Sequence, residues 1–267
     1  MTPLIRRPKS IDTVPFVLFR SYDFRTLLSL KISLFVPCFV DQLYPNVGIS
    51  MVHVLERLGL EVDYPEGQTC CGQPAFNSGY WEEARSVAAH SLDLFADAEH
   101  VVGGSGSCVA MMKVFYPELF HGQPGEEKAK NLSGRMWEFS DFLVTKLGVT
   151  DVGARFPGRA TFHDGCHGLR ELGLKAAPRA LLGAVRDLEL VEMKEAETCC
   201  GFGGTFAVKF PMISTAMADV KCASIAETGA DFLISNDSSC MMQIRGRMDN
   251  QGTAIPCYHL AEVLAAQ

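Results

Sequence analysis

The chain has 267 residues, of which 48% are hydrophobic and 21% charged, a composition that supports one large or two smaller globular domains with a real core. A net charge of −7 without any basic stripe argues against nucleic acid as a partner. No apolar run approaches the roughly 18 residues of a membrane-spanning helix, and ten cysteines without a signal-peptide pattern point to metal or redox chemistry rather than a disulfide framework.

Residues 1–30 are rich in Lys and Arg and include Arg6-Arg7, but no long apolar stretch or small-residue cleavage pattern follows. They are expected to form a disordered N-terminal extension. From residue 31 onward, strand and helix patterns alternate. Residues 32–37 read as a short apolar strand, 52–60 show helical spacing of apolar residues, and 61–64 read as a second strand. A long amphipathic helix is expected over 80–96 and a third strand over 100–102. Residues 121–134, polar and Gly-rich, read as a loop before a helix over 136–148. The order then begins again, with strand 159–163, helix 178–186, strand 189–193, helix 213–228 closed by Gly229, and strand 231–235. Such alternation implies parallel sheets with right-handed crossovers. The expected fold is α/β, with two tandem domains over 31–150 and 151–267 related by a pseudo-twofold axis. Each would be a small parallel sheet flanked by helices.

The cysteines repeat with the elements. ISLFVPCFVDQLYP falls on ATFHDGCHGLRELG and aligns Cys38 with Cys166. Thr-Cys-Cys-Gly occurs twice, supplying Cys70 and Cys71 in the first copy and Cys199 and Cys200 in the second. GSGSC aligns Cys108 with Cys240. Four matched cysteines thus keep register across half the chain. This period is too long for a solenoid, whose repeats span roughly 20–50 residues, and it indicates a tandem duplication of one α/β unit.

In each copy the cysteines follow strands. The carboxyl ends of the strands in an open parallel sheet line its ligand crevice, so four thiols per copy should converge there. Helix N-termini favour thiolate, and Gly72, Gly201 and the Gly103–Gly106 stretch leave backbone N–H groups free to approach a ligand. Thiolates with converging N–H donors suit an iron–sulfur cluster. Structural zinc usually takes Cys pairs two to four residues apart, whereas vicinal cysteines tend to diverge and can serve separate irons. A zinc scaffold and thiol–disulfide chemistry stand as the alternatives. Cys222 and Cys257 lack counterparts in the other copy and read as structural, and Met111, Met112, Met241 and Met242 read as core filling. His163 and Asp164 end a strand and could face the crevice, while His167 beside Cys166 suits a hydrogen-bonding role. The sequence assigns no catalytic residue.

The two motifs, Cys38…Cys70-Cys71-Gly72…Cys108 and Cys166…Cys199-Cys200-Gly201…Cys240, resemble the duplicated cysteine-rich CCG domain. That domain occurs in the B-type polypeptide of heterodisulfide reductase and in iron–sulfur subunits of glycolate oxidase and anaerobic glycerol-3-phosphate dehydrogenase. With PCFVDQLYP, TCCGQPAFNSG, HDGCHGLRELG and TCCGFGGTFAVK, residues 31–267 are similar to the free-standing lactate-utilisation protein A family. The resemblance implies an iron–sulfur electron-transfer subunit of a cytoplasmic complex that oxidises L-lactate to pyruvate. It implies one [4Fe-4S] cluster per domain, held by these eight cysteines. The implied partners are a ferredoxin-like B-type subunit and a C-type subunit, so the chain would be an oxidoreductase subunit rather than a complete enzyme. In the heterodisulfide reductase version each motif ends in C-x-x-C; here Met111 and Gln243 stand at the last position, which counts against disulfide-cleaving chemistry.

Overall fold

A computed structural model describes residues 30–267; the expectation of an N-terminal extension lies outside them, residue 30 aside. Among the described residues there are two four-stranded sheets of matching order, β2-β1-β3-β4 and β6-β5-β7-β8. The first comprises β1 (Lys31–Phe35), β2 (Glu61–Asp63), β3 (His100–Gly103) and β4 (Met136–Glu138). The second comprises β5 (Arg155–His163), β6 (Arg186–Leu190), β7 (Phe232–Ser235) and β8 (Cys257–His259). Neighbouring strands are parallel throughout, and helices fill the crossovers. In both sheets the chain passes from the first strand to one neighbour and then to the other. This puts a topological switch point, and hence a crevice, at the carboxyl ends of β1 and β3 and of β5 and β7.

The central strands β1, β3 and β7 and the last four residues of β5 are almost wholly buried, as continuous apolar runs of parallel sheets require. The architecture is the expected one, with three local differences. Each sheet has a fourth strand, β4 (MWE) and β8 (CYH), three residues long and too short to show a periodic pattern. The second strand of the second sheet is Arg186–Leu190 rather than 189–193, because β5 begins at Arg155 and pairs from there, with an irregularity between Arg155 and Gly158. Within the expected loop 121–134 lies a helix, Glu126–Arg135, opened by Gly125 in the left-handed region (φ 99°) and anchored by buried Ala129 and Leu132. Its charged surface hides those two anchors in the sequence.

One hydrophobic core runs through both halves: Ile32, Leu34, Val54 and Leu55 belong to the same buried cluster as Ala160, Phe162, Leu181 and Ile234. The halves also exchange their last elements. The helix Leu260–Ala265, which follows β8, packs on the helix Pro45–Arg57 of the first half. Reciprocally, the segment after β4, Phe139–Asp141 continuing into the π-helical turn Phe142–Lys146, packs on the helix Ala176–Leu182 of the second half. Arg57 secures one of these exchanges, donating to Val152 O and Leu264 O at 3.1 Å each and to Ala265 O at 2.6 Å. A cation on the last carbonyls of a helix satisfies acceptors that the helix itself leaves open.

The two exchanged segments follow equivalent buried residues, Glu138 at the end of β4 and His259 at the end of β8. Each caps its helix: Glu138 accepts from Ser140 N–H at 2.7 Å, and His259 Nδ1 accepts from Ala261 N–H at 3.1 Å. Burial pushes the Glu138 carboxyl up from 4.5 to about 7 and the His259 imidazole down from 6.5 to about 4. The fold therefore prefers both groups neutral. The Glu138 contribution is complete below pH 4.5 and is lost as pH rises through 7, whereas the His259 contribution is complete above pH 6.5 and is lost as pH falls through 4. The two slopes oppose each other. Glu138→Gln keeps an acceptor for the cap and removes the first slope. Its stability relative to the parent, read by thermal unfolding, should rise between pH 4.5 and 7, by on the order of a few kcal/mol. A difference that does not change with pH contradicts this assignment.

Candidate metal centre

The repeated tetrapeptide builds the same turn twice. Gly72 and Gly201 lie in the left-handed region, at φ 83° and 86°. There each N–H donates back to the sulfur two residues earlier, Cys70 Sγ and Cys199 Sγ, at 3.4 Å. The backbone conformation strains a side chain at both glycines, and at Gly201 there is no room for one. A Cβ on Gly72 would lie 3.2 Å from Ala84 O, and one on Gly201 only 2.5 Å from Ser214 O. Glycine is required here both for the backbone conformation and for the close approach. The turn keeps the vicinal thiols close enough that Cys71 and Cys200 help to lower the titration of Cys70 and Cys199.

The other thiols arrive on helix starts. Cys38 opens the helix Cys38–Leu43 directly after β1, and Cys166 opens Cys166–Leu172 directly after β5. Cys108 lies in the first turn of Gly106–Ala110 after β3, and Cys240 in that of Ser238–Gln251 after β7. In the first half the thiols of Cys38, Cys70, Cys71 and Cys108 lie close enough to shift one another's titration, and in the second those of Cys166, Cys199, Cys200 and Cys240 do. Within each set one thiol is held well below the ordinary thiol range. For Cys70 the causes are the hydrogen bonds from Cys38 and then Cys71, with the Gly72 N–H assisting; for Cys199 they are those from Cys166 and then Cys200, with the Gly201 N–H. Gln68 fixes the first loop by extending the sheet, with its Oε1 accepting from Val36 N–H at 2.9 Å and its Nε2 donating to Leu34 O at 2.8 Å.

All eight cysteines line a single cleft between the halves. Convergence within each copy was the expectation; convergence of both copies on one cleft goes beyond it. Phe39 and Phe202, next to the two sets, meet edge to face with ring centroids 5.8 Å apart. Between the halves Gly106 packs against Gly168, where a Cβ on Gly106 would meet Gly168 Cα at 3.1 Å. Across that contact Asp237, 2% exposed, serves both halves. Its Oδ2 accepts from Ser107 N–H at 3.0 Å and Ser105 Oγ at 3.3 Å, at the start of the helix bearing Cys108. Its Oδ1 accepts from Ser239 N–H at 3.2 Å and Ser239 Oγ at 2.6 Å, at the start of the helix bearing Cys240. Asp237, Gln68 and the buried Glu138 escape a reading that follows cysteines. Asn-Asp-Ser-Ser ahead of Cys240 does carry the signature of an N-cap.

The remaining candidates separate clearly. Asp164 is bound by both Arg179 nitrogens at 2.8 Å, a bidentate pair that anchors the loop after β5. His163, fully buried, stands with one ring nitrogen within 4.8 Å of Cys200 Sγ and Cys240 Sγ. Burial, then the nearby Lys221 cation, pushes its imidazole down to about 3. His167 lines the cleft and packs edge-on against Phe115. Lys221 turns inward to donate to Glu195 O and, at 3.1 Å, to Ala196 O, bracing the loop that leads to Cys199. Gln243 supports the second turn through Ser214, which donates to Gly201 O at 2.7 Å. Cys222 packs in the apolar cluster that also holds Cys200 and Cys240, Cys257 packs against it, and neither Cys222 nor Cys257 lines the cleft. Met111, Met112 and Met241 are core residues.

Four sulfur donors per set, with backbone N–H groups aimed at them, fit a thiophilic metal or an iron–sulfur cluster and not a hard cation that requires oxygen ligands. Comparison with known proteins finds relatives that share the doubled cysteine pattern. The cysteine-rich domain family CCG matches residues 32–113 and 160–245. "Lactate utilization protein A" of Geobacillus thermodenitrificans is 52% identical over 236 residues, covering 88% of this chain and 98% of that protein. Its namesake in Geobacillus kaustophilus is 51% identical over 239 residues, covering 89% and 100%. Among solved structures, a hypothetical protein from Helicobacter pylori shares the fold at a TM-score of 0.63 and 11% identity, covering 90% of this chain and 52% of that one.

The glycine of each turn gives a direct test. A left-handed conformation costs a non-glycine residue about 1–2 kcal/mol, and the closer backbone contact at Gly201 adds to that. Gly201→Ala should lower the thermal midpoint more than Gly72→Ala, and each should weaken metal retention in its own half only. Equal, negligible effects would show that neither turn is constrained as described.

Proposed function

The chain belongs to the lactate utilization protein A family and carries the CCG cysteine-rich domain twice; from this premise we propose that it is an iron–sulfur electron-transfer subunit serving the oxidation of L-lactate to pyruvate. The observation that carries the reading is the pair of four-thiol sets opening into one cleft. Cys38, Cys70, Cys71 and Cys108 would hold one [4Fe-4S] cluster, and Cys166, Cys199, Cys200 and Cys240 the other. A bound cluster supplies one-electron redox chemistry. Oxidation of lactate to pyruvate releases two electrons, which two adjacent one-electron sites match in number.

The chain's own residues shape that chemistry. The Gly72 and Gly201 N–H groups donate to cysteine sulfur and so favour the more reduced, more negative state of whatever those sulfurs bind. Phe39 and Phe202 narrow the cleft and limit water. No flavin or nicotinamide motif is present, so lactate chemistry itself falls to partners: a ferredoxin-like B-type subunit and a C-type subunit in the cytoplasm. Val208, Phe210, Met212 and Ile213, just beyond the cleft-lining Gly203 and Gly204, leave large apolar side chains exposed, which supports assembly with another subunit at this rim.

Anaerobically isolated protein should be brown and contain iron and acid-labile sulfide equivalent to two clusters per chain. Cys71→Ser and Cys200→Ser should each remove about half of both while the circular dichroism stays that of the parent. Stoichiometric zinc without sulfide would contradict the proposal.

A further inference from the structure

The two thiol sets repeat, but the side chains behind them do not. At the end of β1 the aligned residue is Phe35, buried and apolar; at the end of β5 it is His163, equally buried. Neither ring nitrogen of His163 has a hydrogen-bond partner. A buried polar group without a partner costs about 1–3 kcal/mol, and native structures rarely leave one so placed. An imidazole carries at least one N–H in either protonation state, so a donor is left over. It lies beside sulfur: one ring nitrogen, Cys200 Sγ and Cys240 Sγ are all within 4.8 Å of one another. Both cysteines line the cleft and His163 does not, so the ring reaches their sulfurs from the protein side. Two further positions divide in the same way. Ser238 Oγ, two residues before Cys240, and His167 Nδ1, next to Cys166, are buried without a partner, whereas the aligned residues of the first half, Gly106 and Phe39, have no donor side chain. The polar groups around the end of β5 are already engaged. Asp237 accepts from Ser105, Ser107 and Ser239, and Ser235 Oγ donates to the His163 carbonyl at 3.1 Å and accepts from Asp237 N–H at 3.3 Å.

A protonated thiol is a weak acceptor. On binding a metal it loses its proton, and hydrogen bonds to a charged acceptor are the stronger kind. The partner that His163 lacks is therefore one that a metal-bound Cys200 or Cys240 supplies. We infer that His163 donates its N–H to the sulfur of Cys200 or Cys240 in the second centre, acting through that sulfur while Cys166, Cys199, Cys200 and Cys240 remain the four ligands. The inference rests on the proposed function, since it needs metal-bound sulfur at these positions, and it deepens that reading by giving the two centres different roles. Hydrogen bonds to the sulfurs help to set the potential of an iron–sulfur centre. Drawing negative charge toward the ring favours the reduced state. The second centre, backed by His163, has the higher potential and is the electron-accepting member of the pair; the first, backed by Phe35, has the lower.

The test uses the full chain, isolated anaerobically with its clusters after growth on ¹⁵N-histidine and titrated reductively under electron paramagnetic resonance. The parent should show two midpoint potentials, the higher surviving in Cys71→Ser and the lower in Cys200→Ser. His163→Phe, which copies the first half, should shift the higher midpoint down toward the other while iron and sulfide stay at the parental content. Pulsed resonance of the reduced parent should show the weak nitrogen coupling of a hydrogen bond to sulfur, and this coupling should persist in His167→Phe, so that His163 is identified even if His163→Phe fails to fold. An unmoved midpoint in a His163→Phe protein that keeps its iron overturns the inference alone. So does a parent with two centres and no histidine coupling, a coupling lost in His167→Phe, or the strong coupling of a nitrogen bound directly to iron. A parent without iron and sulfide overturns the proposed function, and this inference with it.

Discussion

Everything in the cleft depends on one buried carboxylate. Asp237 accepts hydrogen bonds at the starts of two helices from opposite halves, the one bearing Cys108 and the one bearing Cys240. Free N–H groups at a helix start need an acceptor, and a negative charge there is favourable. By serving both starts with its two oxygens, Asp237 fixes the spacing between a thiol of one set and a thiol of the other. The glycine pair Gly106 and Gly168 lets the helix bearing Cys108 pack closely on the helix bearing Cys166, and the Gly106 N–H adds a bond to Asn236 O at 3.3 Å. The equivalent position in the first half is Ser105, which contributes a hydroxyl rather than a charge, so the two halves share one carboxylate.

That sharing explains why the duplicated unit is not simply two independent copies. The last segment of each half packs on the other half, and the apolar core is continuous across them. Once the halves depend on each other for burial, positions near the shared axis can diverge while the thiol turns stay alike. Glu138 has His259 as its counterpart, Phe35 has His163, and Gln68 does with a side chain what the Ala196 carbonyl does in the second half by accepting from Asp164 N–H at 3.3 Å. The eight thiols are the repeated part and their immediate polar surroundings are the varied part. This is the pattern expected if two similar centres are tuned to different potentials.

Much of this was legible in the residues. The strands β1, β3, β5 and β7 are apolar runs, and the eight thiols announce themselves by their register in the repeat. Four thiols at the ends of three strands follow from strand order alone. The short β4 and β8 were not legible, because three residues carry no period and two of the six, Glu138 and His259, are ionisable residues that read as surface. The helix Glu126–Arg135 was hidden by its charge. The opening of both sets into one cleft was beyond reach as well. It depends on the exchanged end segments and on a contact between Gly106 and Gly168, residues far apart in sequence whose only local signal is the absence of a side chain. His163 was visible as a strand-end residue, but its orientation toward Cys200 and Cys240 follows from the pleat of β5 and the position of the second turn.

The most direct test of the central claim is a crystal structure of the anaerobically isolated protein with anomalous diffraction measured on both sides of the iron absorption edge. The account predicts two separate iron peaks inside the one cleft, one against Cys38, Cys70, Cys71 and Cys108 and the other against Cys166, Cys199, Cys200 and Cys240. A single peak shared by both sets, or no iron signal in the cleft, would contradict it.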